Sequence, residues 1–346
     1  MQQQRRSTRM MTAATASTEE RQRHLEHAHP NHAIDTNDMD DPKLFEEKLG
    51  ITIVDVKELP MAVDWRIHGV TTPVKSQGQC GSCWAFASTA VLESHIALQT
   101  GYLYDLSPQE LVSCAKNPYH CGGNGGCTGA TAEIAFDLVQ QHGIVQEWQF
   151  GYEDSTAQII NCSLTTTEPV ALTDDNNNDT NRTYFRGAVA SISDYMVLPS
   201  NNYTVLMNVV AKYGPVAVSV ACMPWHLYQS GIFYAPLNSN STMTTDLDHL
   251  VVLEGYGTDV DTGEDFWLVR NSWGPRWGEH GYIRLKRHSQ NNEEENECGY
   301  DTTPADGTAC TFDPNSGHDI VPLPQKICGN SGILFDSAVP VGGYLL

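Results

Sequence analysis

The chain has few basic side chains and no long apolar stretch. Lys and Arg number 20 against 42 Asp and Glu, which gives a formal net charge of -22 at pH 7. A surface this acidic repels phosphate backbones and anionic lipids, so nucleic acid is not expected as a partner. No apolar run approaches the roughly 18 residues of a membrane-spanning helix, so we expect no membrane span.

Two further features are missing. The sequence has no internal repeat of about 20 to 50 residues, which excludes a solenoid or a propeller. Its one Cys-x-x-Cys motif, at Cys80 and Cys83, has no second pair of ligands to complete a zinc site. We therefore expect neither a metal nor an organic cofactor. With 346 residues, 40% of them hydrophobic, the chain is long enough for one large domain or two lobes.

Ten cysteines indicate an oxidising compartment. Five Asn-X-Ser/Thr sequons point the same way, although such tripeptides also arise by chance. The first 24 residues lack the apolar segment that is typical of a secretory signal peptide. We expect a lysosomal, vacuolar or secreted protein whose leader is missing from this sequence or whose start site is misassigned. The sequons lie at Asn161, Asn178, Asn181, Asn202 and Asn240.

The segment QGQCGSCWAF at 77–86 is the most informative part of the chain. Cys83 opens a run in which apolar residues recur near helical spacing and which stops at Gly101, so a helix is predicted to begin at Cys83. Unpaired amides and the positive end of the helix dipole favour a thiolate there, and a nearby cation strengthens the effect. Cys83 is therefore a candidate nucleophile.

Candidates for that cation and for its supporting groups lie elsewhere in the chain. DLDHLVVLEGYG at 246–257 places His249 ahead of a strand-like apolar run, and Asn271 lies between two further runs of this type. A histidine acts as general base and acid, and an asparagine amide can fix its ring. The Gln77 amide could donate to a developing oxyanion. Nucleophile, base, orienter and electrophile together predict acyl transfer.

Several longer motifs resemble one known family. CGSCW at 80–84 matches the C-G-[SA]-C-[WY] signature of the papain family of cysteine proteases. LPMAVDWR at 59–66 resembles the start of the mature enzyme, whereas SPQELVSC at 107–114 and NSWGPRWGEHGY at 271–282 resemble two later blocks. The resemblance covers about residues 59–346.

This resemblance implies a role for each candidate residue. It makes Cys83 the nucleophile, His249 its imidazolium partner and Asn271 the hydrogen-bond orienter. Gln77 and the backbone amide of Cys83 would hold the oxyanion, and Trp273 would shield the histidine and asparagine from water. His249 and Asn271 lie 166 and 188 residues after Cys83, beyond the roughly 130 to 150 typical of the family, and insertions explain the difference most simply.

The resemblance extends to the substrate-binding cleft. Gly129 matches a glycine whose backbone pairs with extended substrate in the family, and Ala130 replaces the second glycine of that wall, where its methyl would narrow the cleft. Asp336 matches the residue at the floor of the second subsite. An acid there would favour a basic substrate side chain.

Two disulfides are also implied by the resemblance, Cys80 with Cys127 and Cys114 with Cys162. The family's usual third bridge is missing as a pair, because Ser331 stands where one half is expected. Once the nucleophile and these two bridges are set aside, five cysteines remain, so at least one more thiol is free or pairs between chains. Our preferred pairing is Cys310 with Cys328. The five are Cys121, Cys222, Cys298, Cys310 and Cys328.

The expected fold is α+β, with the two lobes of a papain-like enzyme and the active-site cleft between them. A helical lobe is expected over about 65–170 and an antiparallel, β-barrel-like lobe over about 184–330, with an insertion at about 287–330. Residues 1–58 are either a disordered leader or a short propeptide-like segment that occupies the cleft until it is removed on activation. The catalytic domain would then span 59–346.

The predicted function is that of a cysteine-type endopeptidase, a hydrolase made as a zymogen. A papain-like exopeptidase is a close alternative, because the insertion at 287–330 could block one end of the cleft. Two further hypotheses are transglutaminase-like chemistry and a non-hydrolytic homologue that serves in binding or storage. The expected partners are polypeptide substrates and, by the resemblance, cystatin-like inhibitors, with the chain acting as a monomer.

Overall fold

Two hydrophobic cores, one in each lobe, organise the chain. One core contains Trp84 and Phe136, and the other contains Tyr203 and Trp267. This arrangement confirms the expected α+β fold of two lobes. The structure is a computed structural model, and the residues it describes are 42–153, 156, 160–167, 170–173, 179–235, 237, 244–288 and 297–346.

Five α-helices lie within the described residues, and two of them were predicted from the sequence. Helix α2 begins at Cys83, as expected, and ends at Gly101, whose left-handed backbone (φ 80°) suits a glycine. Helix α4 is followed by Gly143, whose φ is also positive (70°) but whose ψ of -173° lies outside the left-handed helical region. The helices are α1 (Pro42–Leu49), α2 (Cys83–Thr100), α3 (Pro108–Cys114), α4 (Ala132–His142) and α5 (Tyr203–Lys212).

The strands form one eight-stranded sheet and three two-stranded pairs among the described residues. The path through the large sheet is β4-β14-β5-β7-β8-β9-β6, with β1 added beside β7, and it does not close into a barrel within the part of the chain described. Neighbouring strands are antiparallel except β6 and β9. The strands are β1 (Val63–Asp64), β2 (Val170–Thr173), β3 (Asp179–Arg182), β4 (Ala190–Val197), β5 (Val216–Val220), β6 (Ile232–Phe233), β7 (His249–Thr258), β8 (Asp265–Arg270), β9 (Tyr282–Lys286), β10 (Cys298–Asp301), β11 (Phe312–Asp313), β12 (His318–Asp319), β13 (Gln325–Cys328) and β14 (Ser337–Leu345).

The large sheet extends beyond the boundary expected near residue 330. Strand β14 pairs with β4 along most of its length and with β5 at its start. Helix α2 packs against both β14 and β7, and its residues from Trp84 to Ala97 are buried. The helix that carries Cys83 therefore lies between the helical lobe and the sheet.

Four disulfides are present among the described cysteines. Cys80–Cys127 and Cys114–Cys162 lie in the helical lobe. The expected pairing of Cys310 with Cys328 is wrong. Cys328 lies directly opposite Cys298 in the antiparallel β10–β13 ladder and bonds to it. Cys310 instead pairs with Cys121, which lies 189 residues earlier in the chain.

One thiol besides Cys83 is free among the described residues, in agreement with the odd number of cysteines left after Cys83 and the two implied disulfides are set aside. It belongs to Cys222, which is buried.

Residues 42–58 pack against helix α5 of the β lobe. The side chains of Phe45 and Leu49 are buried in the β-lobe core. The Val54 N–H donates to Oδ1 of Asn208 (3.0 Å), and Nδ2 of Asn208 donates to the Val54 carbonyl (2.9 Å). The hypothesis that the leader occupies the cleft is therefore wrong for this segment, because the β-lobe core covers its apolar face. Residues 1–41 lie outside the described residues, as do Asn178 and Asn240.

We predict that Phe45→Ala lowers the free energy of unfolding by about 3 kcal/mol, because it leaves a cavity in the β-lobe core. Phe45 is 1% exposed. Glu47→Ala, on the exposed side of the same helix, serves as the control and should change stability by less than about 0.5 kcal/mol. Denaturant titrations measure both values. Equal stability of the two variants would show that residues 42–58 are not part of the folded domain.

Candidate active site

Cys83 is half-buried at the first position of helix α2. The N-cap residue, Ser82, does not cap the helix with its side chain. The Tyr152 hydroxyl donates to the Gln77 carbonyl (2.8 Å), so the hydroxyl of Ser82 is the donor in its 2.8 Å bond to Tyr152. The Trp84 amide is thereby left to donate to the Cys83 sulfur. The start of the helix thus stabilises a thiolate, as its position in the sequence predicted.

His249 is the first residue of strand β7 and is buried. Its Nε2 lies 2.8 Å from Oδ1 of Asn271. The Ser272 backbone N–H also donates to this oxygen (2.7 Å), so His249 must donate from Nε2. The other ring nitrogen, Nδ1, is then the one that exchanges a proton with the Cys83 thiol.

Cys83 and His249, the candidate catalytic pair, both have shifted pKa values. Burial raises the pKa of Cys83, but the charge and hydrogen bond of His249 outweigh burial and lower it overall. Burial lowers the pKa of His249, but the charge and hydrogen bond of Cys83, together with the bond to Asn271, raise it overall. Both shifts favour a thiolate–imidazolium pair.

Gln77 is held by three contacts that aim its amide at the start of α2. Its backbone N–H donates to the Ser272 carbonyl (2.9 Å), and the Ser272 hydroxyl donates to its Oε1 (2.6 Å). Its Nε2 donates one hydrogen to the Cys80 carbonyl (2.9 Å). Because an amide nitrogen carries two hydrogens, Nε2 has a second N–H that could donate to a further acceptor.

Aromatic rings surround His249. Trp273 lies against the imidazole with ring centroids 5.1 Å apart, and the exposed His226 stacks on the indole at the same distance. The fully buried Trp225 meets His249 edge to face at 6.4 Å. Trp277 also contacts Trp273 and Trp225. His249 is therefore contacted by two indoles, one of which belongs to Trp273.

The structure places the three predicted subsite residues as follows. Gly129 has a left-handed backbone (φ 92°), and its carbonyl accepts a hydrogen bond from the Gly125 N–H (2.7 Å). Ala130 is buried in the helical-lobe core, so little of its methyl reaches the cleft. Asp336 is partly exposed, and the Ser219 hydroxyl donates to its carboxylate.

Sequence reasoning missed three residues that lie close to the catalytic pair. Trp225 and His226 come from the short MPWHL helix after β5, a segment without any periodic signal. The Cys222 amide donates to Oδ1 of Asp248 (3.0 Å), next to His249. Burial, Asp248 and the charge of Cys83 raise the pKa of the Cys222 thiol far above its usual range. Its only sequence signal was its place among the five cysteines left after Cys83 and the two implied disulfides.

Within the described part of the chain, no group of three or more His, Cys, Asp or Glu side chains is placed to hold a metal ion. None of its helices is long and apolar enough to cross a bilayer.

The family model described as "Papain family cysteine protease" matches residues 59–308. The chain belongs to the papain family. It is 39% identical to the oryzain beta chain of Oryza sativa subsp. japonica over 247 residues, which cover 70% of this chain and 45% of the rice protein. It is 37% identical to procathepsin L of Mus musculus over 265 residues, which cover 75% of this chain and 67% of the mouse protein.

Solved structures of the family share the fold. The bromelain protease from Ananas comosus, in complex with the E64 inhibitor, superposes with a TM-score of 0.56 at 28% identity, covering 82% of this chain and all of that one. Digestive procathepsin L 3 of Tenebrio molitor larval midgut gives 0.56 at 31% identity, covering 85% and 74%. The chain spans only 42 to 60% of the length of the plant relatives that it matches.

We predict that iodoacetamide alkylates Cys83 at about pH 5.5 roughly 100-fold faster than it alkylates glutathione, because a free thiol is almost wholly protonated there. Between the lowered pKa of Cys83 and the raised pKa of His249, the pair is a thiolate and an imidazolium, so the alkylation rate should not change with pH in that range. The rate falls only when the pH drops through the Cys83 pKa. Mass spectrometry follows both free thiols.

Cys222 is the internal control and should stay unmodified, because its pKa is raised. His249→Ala should abolish the advantage of Cys83 in mild acid. A rate for Cys83 no greater than that of glutathione would mean that the ion pair does not form.

Proposed function

We propose that this protein is a cysteine-type endopeptidase that hydrolyses peptide bonds through a Cys83 thioester. The observation that carries the proposal is the contact of Cys83 with a histidine whose distal nitrogen donates to Asn271. That bond fixes the ring and leaves Nδ1 facing the sulfur. Membership of the papain family agrees with this mechanism.

The proposed reaction has two halves. The Cys83 thiolate attacks the peptide carbonyl, and the oxyanion accepts hydrogen bonds from the free Gln77 N–H and from the Cys83 amide. The His249 imidazolium gives its Nδ1 proton to the leaving amine. Neutral His249 then takes a proton from water, which hydrolyses the thioester and restores the thiolate.

A peptide-library digest by the purified protein under mild reduction tests this proposal. Cys83→Ala should lower cleavage roughly 1,000-fold or more, because removal of a nucleophile removes the whole pathway. Cys222→Ala is the matched cysteine control and should keep most of its activity, since no step of the proposed reaction is assigned to Cys222. Amine incorporation without hydrolysis would identify a transglutaminase-like enzyme instead. Binding without turnover would identify a storage or binding homologue.

We further propose that Asp336 forms the floor of the second subsite, which receives the second residue on the N-terminal side of the scissile bond. Burial and the negative charge of Glu133 raise the pKa of Asp336 to about 7, against the opposing hydrogen bond from Ser219. The carboxyl is therefore neutral in mild acid and charged only as the pH rises past that value. A preference for basic side chains should follow this titration.

We predict that the kcat/KM ratio for Arg over Phe at this substrate position rises between about pH 5 and pH 8, by roughly tenfold for each 1.4 kcal/mol of attraction gained. Paired fluorogenic peptides measure the ratio. Asp336→Asn is the control and should give a ratio that does not vary with pH. The same rise in that variant would assign the effect to Glu133 or to another acid.

The cellular location and the glycosylation of the protein are also proposals. Four disulfides favour a lysosomal, vacuolar or secreted location. The exposed Asn161 and the partly exposed Asn202 are proposed glycosylation sites. Polypeptide substrates, cystatin-like inhibitors, synthesis as a zymogen and a monomeric state remain proposals drawn from the family.

A further inference from the structure

Residues 298–328, named here the strap, start and end in the β lobe but reach across to the helical lobe. At the base of the strap, β10 pairs with β13, and Cys298 is bonded to Cys328. Near its middle, Cys310 is bonded to Cys121, in the loop that precedes Gly129. The strap is thus covalently fixed to both sides of the cleft.

Backbone contacts hold the strap to the helical lobe. The Gly122 N–H donates to the Ala309 carbonyl (3.0 Å), and the N–H groups of Thr311 and Phe312 donate to the Tyr119 carbonyl (3.1 and 3.0 Å). The ring of Phe312 also stacks on the neighbouring His120. These hydrogen bonds involve residues on both sides of Cys310, so the disulfide is not the only interaction that holds the strap to the helical lobe.

The opposite edge of the strap contacts the segment that precedes His249. The Leu247 N–H donates to the Asp301 carboxylate (3.3 Å). A side chain on Gly307 would place its Cβ 1.7 Å from the Leu247 carbonyl oxygen. Leu247 is 0% exposed and forms a small core with Ile327 of the strap.

Four backbone segments therefore contact one another in sequence from one wall of the cleft to the other. They contain Gly129, Gly122, Gly307 and Leu247. A Cβ on Gly129 would lie 2.3 Å from the Gly122 carbonyl oxygen, and one on Gly122 would lie 2.5 Å from the Gly307 carbonyl oxygen. Gly307 in turn touches Leu247. Because only glycine fits at Gly122 and Gly307, the close approach leaves no room for a substrate chain between these segments.

This crossing lies close to the catalytic pair. Leu247 precedes His249 by two residues, and the backbone of Gly81, two residues before Cys83, pairs with the Cys127–Thr128 segment that leads to Gly129. Two residues span at most about 7 Å. Asp336, the floor of the proposed second subsite, remains partly exposed, whereas Leu247 is fully covered.

We infer that the strap closes the cleft beyond the second subsite, so that the enzyme gains no affinity from substrate residues further toward the N-terminus. The inference rests on the proposed peptidase function and on the assignment of Gly129 and Asp336 to this side of the cleft. A longer substrate must turn out of the cleft at this point. Bonds with only two residues ahead of them are then cleaved about as readily as bonds with longer N-terminal extensions.

The test uses N-acetylated fluorogenic peptides with two, three, four or five residues ahead of one leaving group. All share the same two residues next to the scissile bond, and kcat/KM is measured for each. The full chain should give values that vary by less than about twofold with length, whereas Cys121→Ser/Cys310→Ser should rise roughly tenfold from two to four residues. Mass spectrometry confirms that the bond between Cys121 and Cys310 survives the assay conditions in the unmodified protein.

Cys298→Ser/Cys328→Ser is the matched control. It removes a disulfide from the base of the same strap, where the β10–β13 ladder remains, and it should keep the flat profile. Gly307→Ala retains both disulfides but drives the strap away from the Leu247 carbonyl, so it should give the rising profile even if the Cys121→Ser/Cys310→Ser protein does not fold.

Two results would overturn the inference. One is a tenfold rise with length in the unmodified protein, and the other is a flat profile in both strap-opening variants. Failure to cleave even the two-residue substrate would instead reject the proposed peptidase function. The two hypotheses are therefore tested separately.

Discussion

The contact between the Cys83 thiol and the His249 imidazole is the interaction around which the candidate site is built, and the pKa shifts of both groups favour a thiolate–imidazolium pair. Its two members come from different elements, a helix start and a strand start, so their distance is set by how α2 sits on the sheet. A chain of buried polar contacts fixes that position. Glu93 of α2 accepts hydrogen bonds from Lys75 (3.1 Å) and Thr72, and Arg270 of β8 donates to the Pro73 carbonyl (2.8 Å). The segment between residues 72 and 77 thus joins helix, sheet and Gln77.

Local sequence patterns predicted the parts of the site that depend on neighbouring residues. The helix start at Cys83 and its stop at Gly101 follow from apolar spacing and from the need for a left-handed residue. The strand after His249 follows from its apolar run. The contact between Cys83 and His249 could be predicted only from the family resemblance, since residues 166 positions apart carry no local signal of contact.

The features that the sequence analysis predicted wrongly or missed share one physical cause. Each depends on a contact with residues far away in the chain. Cys310 bonds to Cys121 rather than to Cys328 because register in two β segments decides which cysteines face each other. The apolar face of residues 42–58 gave no indication of what would cover it, and helix α5 lies about 150 positions further along. Strand β14 joins the sheet through β4 in the same long-range way.

The bond between Cys121 and Cys310 has a consequence for how the molecule loses its structure. In a two-lobed enzyme without such a link, one lobe can melt while the other persists. Here a loop of 189 residues is closed by a covalent bond, which restricts the unfolded ensemble and removes conformational entropy from it. Because the same loop contains most of both cores, the two lobes are coupled into one cooperative unit for as long as that bond remains oxidised.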